Sequence, residues 1–204
     1  MRSLETLGRV RLSRHFYMRD FLCSEISNFH GIPNIPDDPD LAIENGRRLC
    51  TELLDPLEET FGRIAIRSGY RSAALNRFGN ENGLNCARND NPLECHIWDR
   101  GSADEAVAGT SLVVPWFAER YAAGSDWRDL AWWIHDHLPY SEMWFFPKLA
   151  ALNLTWRPVP QRTISSYIAP RGMLLRAGEQ SSETAADRKA RYADFPPLRG
   201  IAYP

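Results

Sequence analysis

The sequence is short of the residues and patterns that usually announce a function. Five histidines and four cysteines are spread over 204 residues, too sparsely for a disulfide-stapled scaffold. Neither charge dominates: 24 Lys and Arg stand against 26 Asp and Glu, a formal net charge of −2. That leaves no basic footprint for nucleic acid. No apolar run approaches the roughly 20 residues that cross a bilayer. The start, Met1-Arg2-Ser3-Leu4-Glu5, is followed by Arg9, Arg11 and Arg14 and lacks the apolar centre of a signal peptide. The expectation is a chain that is neither secreted nor membrane-bound. There is no internal repeat.

What is there is globular. Hydrophobic residues at 44% and charged residues at 25% exclude wholesale disorder and a collagen-like fibre. A chain of this length makes one domain, able to bury roughly 70% of its unfolded surface. Cys23 and Cys50 sit among apolar neighbours and read as small buried hydrophobes. The tryptophans, Trp127, Trp132, Trp133, Trp144 and Trp156 among them, have helix and strand spacing, which favours core or interface over a sugar-stacking groove.

Along the chain, Leu12 to Glu25 predicts a short helix with its cap. Asp38 before Pro39 predicts a helix start, carboxylate as N-cap and proline at the first helical position. Leu49, Leu53, Leu57 and Phe61 recur at i+4 and give that helix one buried face, with Pro56 set to kink or interrupt it. Ile64 to Arg67 reads as a strand, and Ser72 as the cap of a short helix. Residues from about 79 to 108 carry little hydrophobic periodicity and read as an inserted loop with a task or a partner. Ser111 to Val114 is a buried strand and Pro115 to Ala123 a helix broken at Gly124. Ser125 is expected to cap a helix ending before Pro139. Strands follow at Glu142–Phe146, Leu152–Trp156 and Thr163–Ile168. Residues 177–204 are polar and predict an extended C-terminal arm beyond a domain of residues 1–176.

The run Arg67-Ser68-Gly69-Tyr70-Arg71-Ser72 with Leu75-Asn76 resembles a hallmark of the zinc D-alanyl-D-alanine carboxypeptidases and related peptidoglycan peptidases. Leu12-Ser13-x-His15-Phe16, Phe21-Leu22-Cys23-Ser24, Gly31-Ile32-Pro33-Asn34 and Leu54-Asp55-Pro56-Leu57 look like the family's amino-terminal half. Trp133-Ile134 through Leu138-Pro139-Tyr140-Ser141-Glu142-Met143 resembles its W-I-x-x-N-L-P-F-D-Q-L passage. The likeness implies an α+β fold, a small mainly antiparallel sheet flanked by helices. It also implies one zinc held by His, Asp and His, with a Glu beside the bound water.

Placed on the family's motifs, the catalytic set is depleted. His96 takes the histidine of S-x-H-x-x-G-x-A-x-D, but the following Asp is either Asp104, one residue too far, or, on the preferred strand alignment, Val113. The Glu position falls at Phe146. The histidine of W-x-H-x-S-Y falls at Ile164, or at Ser165 if the register slips by one. Arg71 matches the arginine that steadies the substrate oxyanion; here it is either that or, preferably, a structural part of the turn.

Other residues could rebuild a metal site. Cys86 and Cys95 with His96, and Asp99 or Asp104 near, are sound zinc ligands by type, though C-x8-C-H matches no common zinc module. A Cys86–Cys95 disulfide is the second reading and two free thiols the default. His135 and His137, at i and i+2 of a helix, face different sides and read as solvated or capping residues. His15 and His30 belong to amino-terminal packing.

The expectation is therefore a catalytically degenerate, peptidase-like protein with no cofactor, a structural or assembly component resembling bacteriophage virion proteins of tail or capsid. Its implied partners are other protein subunits, itself included, and peptidoglycan. The alternative is an active zinc peptidase on peptidoglycan stem peptides, using His96, Asp104 and a third ligand; a third option is a cell-wall-binding module.

Overall fold

Asp38 caps the first long helix as its sequence requires: its carboxylate accepts the Leu41 amide at 3.0 Å and Pro39 occupies the first turn. In this computed structural model, which describes residues 4–200, that helix is α4 (Pro39–Leu49), after three short ones, α1 (Leu4–Gly8), α2 (Arg19–Leu22) and α3 (Glu25–His30). Pro56 interrupts the α-helix as expected, without ending the helical run. The turns Cys50–Leu54 widen to π-helical spacing, the Asp55 amide reaching back to the Cys50 carbonyl, and α5 (Asp55–Phe61) restarts with Pro56 in its first turn. The proline thus sits where its missing N–H leaves no ladder bond unmade.

The chain then gives β1 (Ala65–Ser68), α6 (Ala73–Glu81), β2 (Ala108–Val113), α7 (Pro115–Ala122), α8 (Trp127–His137), β3 (Glu142–Phe145), β4 (Leu152–Trp156), β5 (Thr163–Ser166), β6 (Gly172–Leu175) and α9 (Ala185–Arg191). Ser72 caps α6 as expected, but α8 is capped by Asp126 rather than Ser125, its carboxylate accepting the Arg128 amide at 2.9 Å. The strands form one sheet in the order β1-β2-β4-β3-β5-β6. Four pairings are antiparallel and β3–β5 is parallel. The protein is α+β, a six-stranded mixed sheet flanked by helices.

Strand periodicity divides the sheet into two unlike faces. Leu112, Met143, Phe145, Leu152, Leu154 and Ile164 are all at most 1% exposed and face the helices, where Trp127 of α8 packs on Phe145. Alternate positions point the other way: Ser111 and Val113 on β2, Asn153 and Thr155 on β4, Glu142 and Trp144 on β3, Ser165 on β5. That second face is covered in part by the segment between α6 and β2.

The segment is packed although it lacks periodicity. Cys86, Glu94, Cys95, His96, Ile97 and Trp98 are buried. Asparagines replace the missing ladder: Asn76 donates to the Ala87 carbonyl, Asn80 to Cys86, Asn89 to Ala73 and Asn45 to Trp98, all at 2.7–2.9 Å. Gly46 and Gly109 make room for it, since a Cβ would stand 2.9 Å from the Trp98 ring at the first and 2.5 Å from the Cys95 sulfur at the second. The partner of the inserted loop is thus the chain's own helices and sheet.

The C-terminal arm is not extended throughout. Thr184 and Asp187 form a capping box that starts α9, and Arg188 and Tyr192 bind Asp136 of α8 at 2.7–2.8 Å. Phe195 enters an aromatic cluster with Phe61 and Trp116; residues 201–204 of the arm lie outside the described ones. Cys50 is fully buried as expected, but Cys23 is exposed at the C-cap of α2. Among the described residues no helix is long and apolar enough to cross a membrane.

Candidate functional site

Four of the family-matched positions meet. Arg71, His96, Val113 and Phe146 line one cavity of about 370 Å³ at the β1–β2–β4 end of the open sheet face. Arg71 comes from the turn after β1, His96 from the packed segment, Val113 from the end of β2 and Phe146 from the residue after β3. A larger cavity, about 1150 Å³, adjoins it over β3 and β5.

His96 is fixed by its backbone surroundings. Its Nδ1 lies 2.7 Å from the Gly69 carbonyl, so Nδ1 carries the proton and Nε2 is left as an acceptor. Its amide donates to Glu94 Oε1 at 2.7 Å and its carbonyl accepts the Arg71 amide at 2.9 Å. Gly69 in turn lets α2 pack close behind it, because a Cβ there would stand 2.6 Å from the Phe21 backbone. Burial, reinforced by the Arg71 charge, pushes the imidazole down to about 3, so it is neutral over the physiological range. Burial also raises the Glu94 carboxyl, against the bond from the His96 amide and the charges of Arg71 and Arg100.

Arg71 is held as a structural part and still lines the cavity. Its Nη1 donates to Asn76 Oδ1 at 2.9 Å and to the Cys86 sulfur at 3.2 Å, and its Nη2 to Ser68 Oγ at 3.2 Å. That leaves two of the five guanidinium N–H groups unused.

The remaining expected positions are separated from His96. Asp104 stands exposed on the 3₁₀ turn Ala103–Glu105 and does not line the cavity. Ile164 belongs to the helix-facing core, completely buried. Ser165 is on the open face but in the adjoining cavity, its hydroxyl donating to the Met173 sulfur at 3.0 Å. The sheet order explains the mismatch. β5 is three strand spacings from β2, about 14 Å, too far for side chains on both to share one ion. The strand beside β2 is β4, and Asn153, paired with Ser111 and lining the His96 cavity, holds the place that a third ligand from a neighbouring strand would take. The Leu112–Leu152 register puts Val113 opposite Ala151, whose carbonyl accepts the Phe146 amide at 2.7 Å. The three strands therefore present Val113, Ala151 and Phe146 as an apolar row.

These residues do not fit a three-ligand zinc. His96 supplies one nitrogen; Val113 and Phe146 supply only carbon, and an Asn amide is a poor zinc donor. The cysteine alternative is not assembled either. Cys86 faces the Arg71 guanidinium, and Cys95 packs against Gly109 beside Thr155; both are free thiols. Burial raises Cys86 and drives Cys95 up to about 12, so neither is an activated nucleophile. Among the described residues no three of His, Cys, Asp and Glu are grouped to hold a metal.

Comparison with protein-family models, curated proteins and solved structures finds no match to this chain. The site is read from its own chemistry.

Of the histidine pair on α8, His137 makes a last-turn carbonyl contact of the expected capping kind, whereas His135 departs from the expectation. His137 stacks on Trp133 and bonds its carbonyl at 2.8 Å, and His135 lies 2.9 Å from the Tyr140 hydroxyl. Burial and the Arg162 charge push His135 down to about 4, so it is no C-terminal cation. Arg162 takes that role, donating to the carbonyls of His135 and Leu138 at the helix end and lying over the Tyr140 ring.

Proposed function

We propose that this chain is a catalytically degenerate protein of the zinc D,D-carboxypeptidase-like fold, serving as a structural or assembly component of a bacteriophage virion, in tail or capsid. The reading rests on one observation. The open sheet face brings His96 and Arg71 together with Val113, Phe146 and Asn153, where an enzyme of that kind requires a carboxylate ligand, a carboxylate base and a second histidine. The site keeps the parts that shape a pocket and lacks the donors that activate water. The motif likeness over residues 12–172 and the folded-back C-terminal arm suit a part built for protein neighbours.

The test joins chemistry and location. Purified protein equilibrated with zinc is expected to hold no stoichiometric metal after dialysis and to release no D-alanine from a D-Ala-D-Ala peptide. Mass spectrometry of purified particles is expected to find the chain as a fixed component. Turnover that a chelator abolishes establishes the alternative, an active zinc peptidase; retention on purified peptidoglycan without turnover and without the chain in particles favours a cell-wall-binding module.

A further inference from the structure

We infer that the His96 cavity binds a small organic oxyanion, a carboxylate or phosphate head on a short apolar body. Three cations from different elements line it: Arg67 on β1, Arg71 in the following turn, and Lys148 on the 3₁₀ turn Lys148–Ala150. Arg67 and Lys148 are exposed and have no hydrogen-bond or ion-pair partner among the described residues. Cations left unpaired around one concavity attract an anion, because no carboxylate among the described residues pairs with Arg67 or Lys148. The acid on that wall is Glu94, and its oxygen is already engaged by the His96 amide. Arg71 is pre-set by Asn76, Cys86 and Ser68 and keeps two N–H groups free, the fork that oxyanions accept.

The lining also includes the apolar side chains of Val113, Phe146 and Leu149, which calls for a ligand body without charge. A volume of about 370 Å³ is in the range of a small-molecule pocket. The backbone bears a second mark. Leu149 at φ 61° and Ala150 at φ 46° are consecutive non-glycine residues in the left-handed region, and their turn is what presents Lys148 and Leu149 to the cavity. Such conformations persist where the surrounding structure enforces them, and they gather at binding sites. The motif resemblance assigns no role to Arg67 or Lys148. The inference rests on the non-catalytic reading only in treating the cavity as a place where a ligand stays intact.

Calorimetric titration of the full chain with propyl phosphate, butyrate and inorganic phosphate tests it. One of the two organic anions is expected to bind saturably at one per chain, and more tightly than inorganic phosphate. Tighter propyl phosphate assigns a phosphate head, tighter butyrate a carboxylate head. Arg67→Gln and Lys148→Gln should each weaken binding about tenfold, while their unfolding midpoints stay unchanged because both side chains are exposed. Arg77→Gln, an exposed arginine outside the cavity, should leave binding intact. No saturable binding tighter than about 10 mM, or an equal loss in Arg77→Gln, overturns the site. D-Ala-D-Ala turnover in the same samples would instead overturn the non-catalytic reading and leave the anion site standing.

Discussion

Acidification should unfold this protein through His96. The imidazole is 5% exposed, its Nδ1 proton is held by the Gly69 carbonyl, and burial with Arg71 nearby takes its pKa from 6.5 down to about 3. The unfolded chain therefore binds the proton that the folded chain refuses. The contribution of the neutral, buried ring is complete above pH 6.5 and is lost progressively as the pH falls from there toward 3. With these two values the loss is about 2 kcal/mol at pH 5 and about 3 kcal/mol at pH 4. That is a large part of the stability of an ordinary domain. His135, pushed down to about 4, adds a loss of the same sign. The assay is urea denaturation between pH 7 and pH 4 on wild type and His96→Asn, with the imidazole resonances followed by NMR. His96→Asn is destabilised at pH 7 but should show the shallower pH dependence, the two curves converging by about 2 kcal/mol between pH 7 and pH 5. Parallel curves, or a His96 resonance titrating near 6.5, would refute the buried neutral imidazole.

Further outcomes follow from other contacts. The double variant Val113→Asp with Asn153→His adds a carboxylate and an imidazole to His96 in one cavity, and should bind one zinc that a chelator removes; a folded variant that holds none would separate these side chains. Gly109→Ala drives a methyl to 2.5–2.6 Å from the Cys95 sulfur and Cβ and should destabilise by about 1–3 kcal/mol in denaturant melts. Adding Cys95→Ala should not restore it, because the Cβ remains. Asp136→Asn weakens the Arg188 pair and the Tyr192 bond, both partly buried; limited proteolysis should then cut more readily between residues 176 and 184, with stability lower by about 1–3 kcal/mol. A thiol reagent should modify Cys23 rapidly in the native protein and reach Cys50, Cys86 and Cys95 only on unfolding.

Local signals in the sequence are legible at two of the three helix caps, the third slipping by one residue from Ser125 to Asp126. Asp38 and Ser72 cap their helices, and the Leu152–Trp156 strand has the expected bounds. Long-range order was not legible. The motif places a third ligand at Ile164 or Ser165, near Ser166-Tyr167; that β4 lies between β2 and β3 and brings Asn153 into the His96 cavity instead is a fact of topology without a local trace. The segment between α6 and β2 read as a loop because its buried residues pack singly rather than on one repeating face. Its asparagines at 82, 85, 89 and 91, with Asn76 and Asn80 on α6 beside it, are the available sign, since side-chain amides commonly stand in for missing backbone partners. In the arm, Thr184-x-x-Asp187 was a readable capping box.

The folded-back arm sets the order in which the molecule can be finished. Arg199 donates its amide to Thr60 at 3.0 Å, and Phe195 completes the cluster of Phe61 and Trp116. During synthesis, α5 and α7 leave the ribosome long before their partner exists. At about 5–20 residues per second, the interval between Phe61 and Phe195 is several seconds, during which an aromatic surface stands uncovered. The aromatic cluster of this domain is thus completed only by residues 185–200, and a nascent chain halted near residue 180 leaves Phe61 and Trp116 without their Phe195 partner.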